Sequence, residues 1–468
     1  MNLTGYYTED TIAAIATPPG KGAIGVIKIS GEESLNILKK IFKPFKPRKE
    51  FESHKMYYGH IVDPETGKIV DEVLVCYMKK PRTYTREDVV EIYAHSGYYT
   101  LRKILELVFL AGARPAQPGE FTLRAYLNGR IDLSQAEAIE ELISAKTEKA
   151  LEIALNTLSG KLSQKVEKLR TELMEILTQI ETAIDFPEED IEIMEPEKLV
   201  QKIEKEVLPV IEELIKNYEE GKVFKEGIKL VIAGKPNVGK SSLMNALLKE
   251  ERAIVTPIPG TTRDFLEEEA TIEGLPVKLI DTAGLRETED LVEKIGVERA
   301  KKKFEEADLI LFLVDASVKP SEEDFKIYQD VKNYPHLVLL NKIDIAGKEN
   351  LEEWEKTFSE RGIKEWIKIS VKERQNLDKL GKAIFERITG ERRAEVPEVV
   401  PNLRQKTALE TAKKYLLNAL KELRKKEPLP ELVSVEVRSA ISALSEIIGE
   451  VTTEDLLTQI FSTFCIGK

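Results

Sequence analysis

The sequence predicts a multidomain protein that combines α/β and all-α architecture, and three observations lead to this prediction. The chain has 468 residues, which corresponds to roughly three domains at about 150 residues each. Short apolar strands separated by Gly and Pro fill the first 130 residues, and long helical periodicity follows. Strands alternate with helices between residues 228 and 390, before a last helical stretch. We therefore expect an N-terminal α+β domain and a helical domain interrupted by an inserted domain with a mainly parallel sheet.

The composition disfavours several classes of protein. The chain carries 70 Lys and Arg residues against 82 Asp and Glu residues, a net charge of −12 at pH 7. A dedicated nucleic-acid coat protein or membrane-surface binder usually has the opposite balance, so contact with RNA needs a local basic patch or a partner. Cys76 and Cys465 are too few for a disulfide framework or a cysteine-ligated zinc site. With no long apolar run and no leader-like N-terminus, we expect a soluble, cytoplasmic protein with no membrane partner.

The first domain is predicted to span residues 1–130. Apolar runs between Ala13 and Gly31 are interrupted by turn-forming Gly and Pro residues, and Val73–Tyr77 and Val89–Tyr93 have the composition of further strands. The segment LRKILELVFLAGA follows as an amphipathic helix. The Pro- and Gly-containing stretch ARPAQPGEF then precedes a change to helical character.

The first part of the helical domain is predicted at residues 131–222. Asp132 followed three residues later by Gln135 is typical of a capping box at a helix start. Apolar residues then recur in steps of three and four on one helix face, at Leu162, Val166, Leu169, Leu173, Ile176, Ile180 and Ile184.

Breaks within this helical stretch are expected at Gly160 and Pro187, and the next helix is expected to run to about Asn217 and to end at Gly221. The second part of the helical domain is predicted at residues 391–468. Two separate helical domains are the alternative, but neither flank alone offers much core, so we favour one discontinuous domain.

The inserted domain is predicted at residues 223–390. The apolar strands IKLVIAG, VKLIDTAG, LILFLVD and LVLLNKID alternate with helical segments, which indicates a parallel sheet with crossover helices. The first strand, predicted at Ile228–Ala233, leads through Gly234–Ser241, GKPNVGKS, into a helix, and this is the context of a phosphate-binding loop. Its glycines let backbone N–H groups surround phosphates, Lys240 reaches the β and γ oxygens, and Ser241 can ligate Mg²⁺.

Two further segments favour guanine over adenine. Asp281-Thr282-Ala283-Gly284 ends a strand, so Asp281 can hold the Mg²⁺ shell and the Gly284 N–H can sense a γ-phosphate. In Asn341-Lys342-Ile343-Asp344, the Asp344 carboxylate can accept both the N1–H and the exocyclic amine of guanine, a donor pair that adenine lacks. Ser370-Val371-Lys372 is a candidate for the loop that closes over the base. In this order, the motifs predict GTP as the nucleotide.

The segment Ile254–Asp264 has the composition of a switch loop. Within it, Thr262 is the candidate that completes the Mg²⁺ shell and becomes ordered by the γ-phosphate. Leu285 stands where many signalling GTPases carry the Gln that orients the attacking water, and a hydrophobic side chain cannot do this. Glu293 is a candidate catalytic base by reach, although a Glu in such an acidic segment is more often a solvated surface residue.

Several segments together resemble one known family. GKPNVGKSSLMNAL, IVTPIPGTTRD, DTAGLRET, the terminal FCIGK and the opening DTIAAIATPPGKGAIGVIKISG are similar to segments of the MnmE (TrmE) family of tRNA-modification GTPases. The resemblance covers almost the whole chain. It implies a tetrahydrofolate-binding and dimerisation domain at residues 1–130, and a P-loop GTPase domain inserted into the helical domain. It also implies a homodimer that works with an FAD-containing MnmG-type partner.

The implied reaction places an aminomethyl-type group on carbon 5 of the wobble uridine in certain tRNAs, with a one-carbon unit from a folate such as 5-formyltetrahydrofolate. GTP hydrolysis would drive a conformational cycle. In the family, the G domain binds K⁺ and Mg²⁺, and juxtaposition of two G domains activates hydrolysis. Lys240, Glu293 and Cys465 are the catalytic candidates here. Ser241 and Thr262 would ligate Mg²⁺, and K⁺ would be held by Asn237, Thr256, Ile258 and Thr261. Arg263 and Arg286 remain alternatives to the K⁺ ion.

The residues expected to contact GTP or GDP lie in the motifs described above. They are Asn237, Val238, Gly239, Lys240, Ser241, Ser242, Thr256, Pro257, Ile258, Pro259, Gly260, Thr261, Thr262, Asp281, Thr282, Ala283, Gly284, Asn341, Lys342, Asp344, Ser370, Val371 and Lys372.

By the same resemblance, Lys28, Glu91, Arg130 and the terminal Lys468 would bind the folate. The family more often has Arg at the position of Lys28, and Lys keeps the charge but loses bidentate carboxylate recognition. Cys465 would be a thiol near the modification centre. A prenylation box and a buried structural cysteine are the alternatives for it, although Gly and Lys suit the last two positions of such a box poorly.

A ribosome-assembly or translation GTPase, acting as a switch without a chemical substrate, is the alternative function. A scaffold with a degenerate nucleotide site is disfavoured because the phosphate and guanine residues are intact. A switch has no use for a folate pocket, so binding of 5-formyltetrahydrofolate distinguishes the first two functions.

Overall fold

The computed structural model describes residues 10–18, 20–48, 50–185, 195–250, 267–281, 302–390 and 397–468. The chain forms two compact units. The first comprises Met1–Glu140, Thr157–Leu208 and Thr407–Lys468, and the second comprises Glu141–Asn156 and Pro209–Lys406. An α+β part, long helices and a mainly parallel sheet are all present, so the predicted fold class is confirmed.

The strands are β1 (Ile12–Ile15), β2 (Ile24–Ser30), β3 (Phe42–Pro44), β4 (Lys55–Val62), β5 (Ile69–Met78), β6 (Val89–His95), β7 (Arg114–Pro115), β8 (Ile228–Ala233), β9 (Glu267–Ile272), β10 (Leu275–Asp281), β11 (Leu309–Asp315), β12 (His336–Asn341) and β13 (Ile367–Lys368). The helices are α1 (Ser34–Ile41), α2 (Tyr98–Leu110), α3 (Glu120–Leu127), α4 (Leu133–Ser144), α5 (Glu148–Leu158), α6 (Lys161–Asp185), α7 (Pro196–Lys202), α8 (Leu208–Glu226), α9 (Lys240–Glu250), α10 (Glu322–Val331), α11 (Lys348–Glu360), α12 (Leu377–Thr389), α13 (Leu403–Leu423), α14 (Pro430–Ile448) and α15 (Glu454–Ser462), with a π-helical turn at Ile203–Val207 between α7 and α8.

The first unit contains a seven-stranded sheet in the order β3-β4-β5-β6-β2-β1-β7, antiparallel except for the β1–β7 pair. Side chains alternate across a strand, so Ile27 and Ile29 share one face of β2 and Lys28 lies on the other. The face of Ile27 and Ile29 packs in one core with apolar residues of α1 and α2, such as Leu38 and Leu107. The opposite face is only half-covered and carries the polar residues of β2 and β6.

Long helices complete the first unit. The predicted capping box at the start of α4 is confirmed, because the Gln135 N–H donates to Asp132 Oδ1 at 3.0 Å and the Asp132 N–H donates to Gln135 Oε1 at 3.0 Å. The predicted apolar stripe of α6 is buried from Leu162 to Ile180, and α6 packs against α14. Gly160, at φ +87°, separates α5 from α6 as predicted.

Two helix boundaries differ from the prediction. An unpredicted break separates α4 from α5, where the Ala150 N–H donates to Thr147 Oγ1 at 3.1 Å and caps the new helix. The predicted end at Gly221 is wrong, since α8 continues to Glu226. A Cβ on Gly221 would lie 2.3 Å from Cγ2 of Val400, so this glycine permits a close approach inside the helix and does not end it.

The second unit contains a six-stranded sheet in the order β13-β12-β11-β8-β10-β9. All pairs are parallel except the edge pair β9–β10. The central strand β11 is buried from Leu309 to Val314, as expected of a strand covered by helices on both faces. The carboxyl ends of β8, β11 and β12 lie at one edge of the sheet, where open α/β sheets bind ligands. Among the helices that the structure describes, none is long and apolar enough to cross a membrane.

Candidate functional site

The phosphate-loop motif connects the end of β8 to the start of α9. Gly234 has φ +149°, and a Cβ there would lie 2.3 Å from the carbonyl oxygen of Leu313, so only glycine fits. Asn237 adopts φ +64°, which turns the loop tightly before the helix begins. Lys240 is buried, and its Nζ donates to the carbonyl oxygens of Gly234 and Lys235 at 2.9 and 2.7 Å. These bonds hold the ammonium across the loop that would cradle phosphates.

Asn341 joins this loop to the segment that follows β12. Its Nδ2 donates to the carbonyl oxygen of Val238 at 2.8 Å, and its Oδ1 accepts from the Val371 N–H at 3.2 Å. The amide is buried, and its two hydrogen bonds hold three separate loops together. Gly239 permits this contact, because a Cβ there would lie 2.5 Å from Asn341 Nδ2.

Asp344 is oriented by the third predicted segment. Ser370 Oγ donates to Asp344 Oδ1 at 2.6 Å and itself accepts from the Glu373 N–H at 3.1 Å. Asp344 faces a cavity of about 650 Å³, which is large enough for a nucleoside. Seven of the predicted nucleotide residues line this cavity, namely Gly239, Ser242, Asn341, Lys342, Asp344, Val371 and Lys372. Ser241 lies exposed in the first turn of α9.

Five residues of this site were not predicted from the sequence, namely Asp315, Asn245, Ala246, Ile345 and Arg374. Asp315 accepts from Lys342 Nζ at 2.6 Å, and the same ammonium donates to the Asn237 carbonyl oxygen at 2.8 Å. Burial alone would raise the pKa of Asp315, but hydrogen bonds from Lys342 and Ser317 outweigh it and lower that pKa. The position of Asp315 at the end of an apolar strand is the signal that could have revealed it. The others line the cavity but were not among the residues predicted to contact the nucleotide.

Many of the remaining predicted residues lie outside the part of the chain that the structure describes. These are Thr256, Pro257, Ile258, Pro259, Gly260, Thr261, Thr262, Thr282, Ala283, Gly284 and Glu293. The backbone of Asp281 ends β10, and nothing further is described for it. The roles given to these residues stay predictions.

The predicted folate residues meet at a second place, in the first unit. Lys28 on β2 and Glu91 on β6 are direct register partners on the half-covered sheet face. Lys28 Nζ lies 5.2 Å from the ring centre of Tyr84 and 5.3 Å from that of Phe121. The Arg130 guanidinium lies 4.7 Å from the same Tyr84 ring. Tyr84 and Phe121 were not predicted from the sequence, since isolated aromatic residues form no motif.

The chain terminus reaches this cluster through α3. The Phe121 N–H donates to an oxygen of Lys468 at 3.1 Å. Gly467 adopts φ +95°, and a Cβ there would lie 2.7 Å from the Ile15 carbonyl oxygen, so glycine lets the terminus lie against β1. Burial lowers the pKa of Lys28, Glu91 opposes this effect, and the positive charge of Lys468 lowers that pKa further. The terminal lysine therefore lies within electrostatic reach of Lys28.

The two cysteines differ in environment. Cys465 is exposed, so the alternative of a buried structural cysteine is wrong for this residue. Cys76 lies buried on β5, where it is the register partner of Glu91 on β6. Burial raises the pKa of the Cys76 thiol, and Glu91 raises it further.

Glu91 also accepts from Tyr93 Oη at 2.5 Å. Burial raises the pKa of Tyr93, and the hydrogen bond to the Glu91 carboxylate raises it further, so the phenol stays protonated and donates. These residues, which we call the Lys28–Glu91 cluster, combine the cations of Lys28, Arg130 and Lys468 with the Glu91 carboxylate and aromatic rings around one half-covered sheet face.

Comparisons with known proteins agree with this architecture. Residues 11–130 match the family model described as the GTP-binding protein TrmE N-terminus, and residues 133–465 match the MnmE helical domain. The protein named tRNA modification GTPase MnmE from Alkaliphilus oremlandii is 49% identical over 99% of this chain and all of its own length. Its namesake from Aquifex aeolicus is 48% identical over 98% of this chain and all of its own length.

Among solved structures, a point variant of Era from Aquifex aeolicus bound to GDP.AlF4- is 33% identical to this chain. The match covers 43% of this chain and 69% of that one, with a TM-score of 0.29. The full-length relatives are decisive, because they align over nearly the whole of this chain and the whole of their own length. The chain therefore belongs to the MnmE family of tRNA modification GTPases, and the protein is a GTP-hydrolysing enzyme.

Proposed function

We propose that the protein couples GTP hydrolysis to modification of carbon 5 of the wobble uridine in certain tRNAs. It would act in the cytoplasm as a homodimer with an FAD-containing MnmG-type partner, and add an aminomethyl-type group built from a folate one-carbon unit. The observation that carries this proposal is that one chain contains both the Lys28–Glu91 cluster and the cavity at Asp344 with its phosphate loop, which we call the nucleotide cleft. A regulatory GTPase that acts only as a switch needs the first of these and has no use for the second.

The cleft residues suit GTP and Mg²⁺. Asp344 offers a carboxylate held in place by Ser370, and Lys240 offers a positive charge at the phosphate loop. The exposed hydroxyl of Ser241 is a hard oxygen donor of the kind that Mg²⁺ prefers, and Thr262 would be its second protein ligand. When bound, the metal would neutralise charge on the phosphate oxygens.

Hydrolysis would depend on K⁺ held by Asn237, Thr256, Ile258 and Thr261, with Glu293 orienting the attacking water. Of these residues, Asn237 is the one that the structure describes, and its side chain lies exposed in the phosphate loop. Its main-chain carbonyl oxygen accepts a hydrogen bond from Lys342 Nζ. Exchange of K⁺ for Na⁺ should then lower GTP turnover strongly with little change in GTP affinity, and Glu293→Ala should do the same. Equal turnover in both salts, with Arg286→Ala inactive, would transfer the role to the arginine.

The Lys28–Glu91 cluster suits a folate. A carboxylate can accept the N–H donors of a pterin ring, and the Tyr84 and Phe121 rings beside Lys28 offer aromatic surface. The cations of Lys28, Arg130 and Lys468 suit the carboxylates of the ligand. The exposed thiol of Cys465, two residues before Gly467, would lie near the modification centre.

A homodimer through the first unit is supported by an exposed apolar patch on the half-covered sheet face. Tyr58 and Leu74 are register partners on β4 and β5, and the Phe45 ring lies 5.6 Å from that of Tyr58. Each of these three side chains is at least 43% exposed, which is unusual for large apolar residues that neighbour one another. Charging this patch with Leu74→Glu should shift the full chain from dimer to monomer in sedimentation velocity.

The decisive experiment measures wobble-uridine modification in cells that lack the protein. Return of the normal chain should restore the modified nucleoside in tRNA digests. Glu91→Gln should restore it poorly while GTP hydrolysis by the purified variant stays normal. Full modification in cells without the protein, together with a ribosome-assembly defect, would favour the regulatory GTPase instead.

A further inference from the structure

A second cavity adjoins the Lys28–Glu91 cluster and contains three arginines. It measures about 500 Å³ and is lined by the guanidinium-bearing residues Arg82, Arg86 and Arg130, together with Thr83 and Tyr84. The loop that carries Arg82 and Arg86 is fixed to the turn before Arg130. Arg86 Nη1 donates to the Asn128 carbonyl oxygen at 2.9 Å, and Asn128 Nδ2 donates to the Thr85 carbonyl oxygen at 2.6 Å.

The charge of this cavity is uncompensated within the described part of the chain. None of its lining residues is acidic, and Arg82, Arg86 and Arg130 form no ion pair with a described carboxylate. Two other arginines of the same domain behave differently. Arg114 contacts Asp10 and Glu120 at 2.5 Å each, and the buried Arg124 contacts Asp10 at 2.6 Å.

Three like charges around one cavity repel one another, and in a chain of net charge −12 there are many carboxylates that could have neutralised them. The arrangement is therefore suited to an anionic ligand. Guanidinium groups present a planar fork of donors that matches carboxylates bidentately. The cavity thus has the chemistry of a site for a ligand that carries more than one carboxylate.

The position of the cavity indicates which ligand this is. Tyr84 belongs to both places, because Lys28 Nζ lies 5.2 Å and the Arg130 guanidinium 4.7 Å from its ring centre. A folate held at Lys28 and Glu91 would therefore have the arginine cavity as its continuation. Folates carry a glutamate, and γ-linked glutamyl extensions add one carboxylate per residue.

We propose that Arg82 and Arg86 bind the glutamyl tail of the folate and make the protein selective for polyglutamylated folates. The proposal rests on folate binding by the Lys28–Glu91 cluster and adds a tail subsite to it. An RNA phosphate is the competing occupant of the arginine cavity. Binding of RNA would not, however, require that Tyr84 line both this cavity and the Lys28–Glu91 cluster.

Isothermal titration calorimetry on the full chain tests the proposal with 5-formyltetrahydrofolate carrying one or three glutamyl residues. The normal protein should bind the triglutamate about tenfold more tightly, as expected for one or two charge-assisted hydrogen bonds. Arg82→Gln and Arg86→Gln should each remove most of this preference, with a smaller loss for the monoglutamate because it lacks the added carboxylates. Arg102→Gln, an exposed arginine on α2, is the matched control and should keep the preference.

The other outcomes distinguish between the tail subsite, the folate site and an RNA-binding site. Equal affinity of the normal chain for both ligands overturns the tail subsite and leaves the folate site intact. No binding of either ligand overturns the folate site itself and the tail subsite with it. A preference that survives in both variants, with weaker binding of tRNA, assigns the cavity to RNA. Because the Arg86 side chain holds Asn128, Arg82→Gln keeps the test valid if Arg86→Gln fails to fold.

Discussion

The nucleotide cleft and the Lys28–Glu91 cluster are built in different ways. The cleft is made by short contiguous motifs at the carboxyl ends of parallel strands, and the main chain supplies many of its contacts. Asn341, for example, donates to the Val238 carbonyl and accepts from the Val371 N–H. The cluster is made by residues far apart in sequence, from Lys28 to Lys468, and it is arranged around Lys28 and Glu91 on one face of an antiparallel sheet. The geometry of the cluster therefore depends on the pairing register of β2 with β6 and on the position of Lys468 at the end of the chain.

This difference has a consequence for specificity. A cleft shaped by backbone and glycine can recognise phosphates with few side chains, so single charges there act on catalysis and base choice. A cluster of side chains around aromatic rings distributes its binding energy, and each member contributes less. We therefore expect the largest single-residue effects in the cleft and smaller, ligand-specific effects in the cluster.

The largest effect is expected from Lys240→Ala. Loss of the buried ammonium at the phosphate loop should lower kcat/KM for GTP by about 10³-fold, the upper range for removal of one electrostatic stabiliser. Binding of 5-formyltetrahydrofolate should stay normal in the same preparation. Steady-state phosphate release measures the first quantity and calorimetry the second, with Lys379→Ala on the exposed side of α12 as control. A parallel loss of folate binding would mean that the two sites are not independent.

Asp344→Asn should weaken GTP binding by about 100-fold, since an amide places a donor against the exocyclic amine and leaves buried groups unpaired. Xanthosine triphosphate, which has an oxygen in place of that amine, should bind better to the variant than GTP does. Competition against a fluorescent guanine nucleotide measures both affinities, and Asp378→Asn is the exposed control. Unchanged GTP affinity would remove Asp344 from base recognition.

Glu91→Gln tests the Lys28–Glu91 cluster separately from the nucleotide cleft. The amide keeps the shape but loses the charge that Lys28 and Tyr93 face, so affinity for 5-formyltetrahydrofolate should fall about tenfold. GTP turnover should not change. Glu106→Gln, an exposed carboxylate on α2, is the control. Equal folate binding by the variant and the normal chain would contradict the assignment of this residue.

The nucleotide cleft could be predicted from the sequence more completely than the Lys28–Glu91 cluster, for physical reasons. Strand β8 was predicted with its correct bounds and the phosphate loop followed from it, because glycine spacing and apolar runs are local signals. The continuation of α8 through Gly221 depends on a tertiary contact with Val400, which no local pattern encodes. The break before α5 does carry a local signal, the N-cap residue Thr147, which the prediction overlooked. Tyr84 and Phe121 belong to the Lys28–Glu91 cluster only through sheet register and the placement of α3. Lys28 and Glu91 were themselves proposed from the resemblance and not from their spacing, and their role stays a prediction.

The smallest effect is expected from Asp315→Asn, which removes the partner that fixes Lys342 beneath the phosphate loop. The Asp315 side chain is 13% exposed, so solvent screens the ion pair only in part. We expect a loss of about 1 kcal/mol in the free energy of unfolding, and a GTP affinity only a few-fold weaker. Urea denaturation measures the first quantity. A double-mutant cycle with Lys342→Gln should give a coupling energy of similar size.

The pH dependence of that loss follows from the lowered pKa of Asp315. A carboxylate whose pKa is lower in the folded state stabilises the fold while it is ionised. Its contribution is complete above the ordinary pKa of about 4 and is lost as the pH falls through the lower folded value. The difference in stability between the normal chain and Asp315→Asn should therefore be constant near neutral pH and shrink in acid. A difference that persisted unchanged below the folded pKa would show that the ion pair with Lys342 is not its source, and that side-chain shape alone supports this part of the cleft.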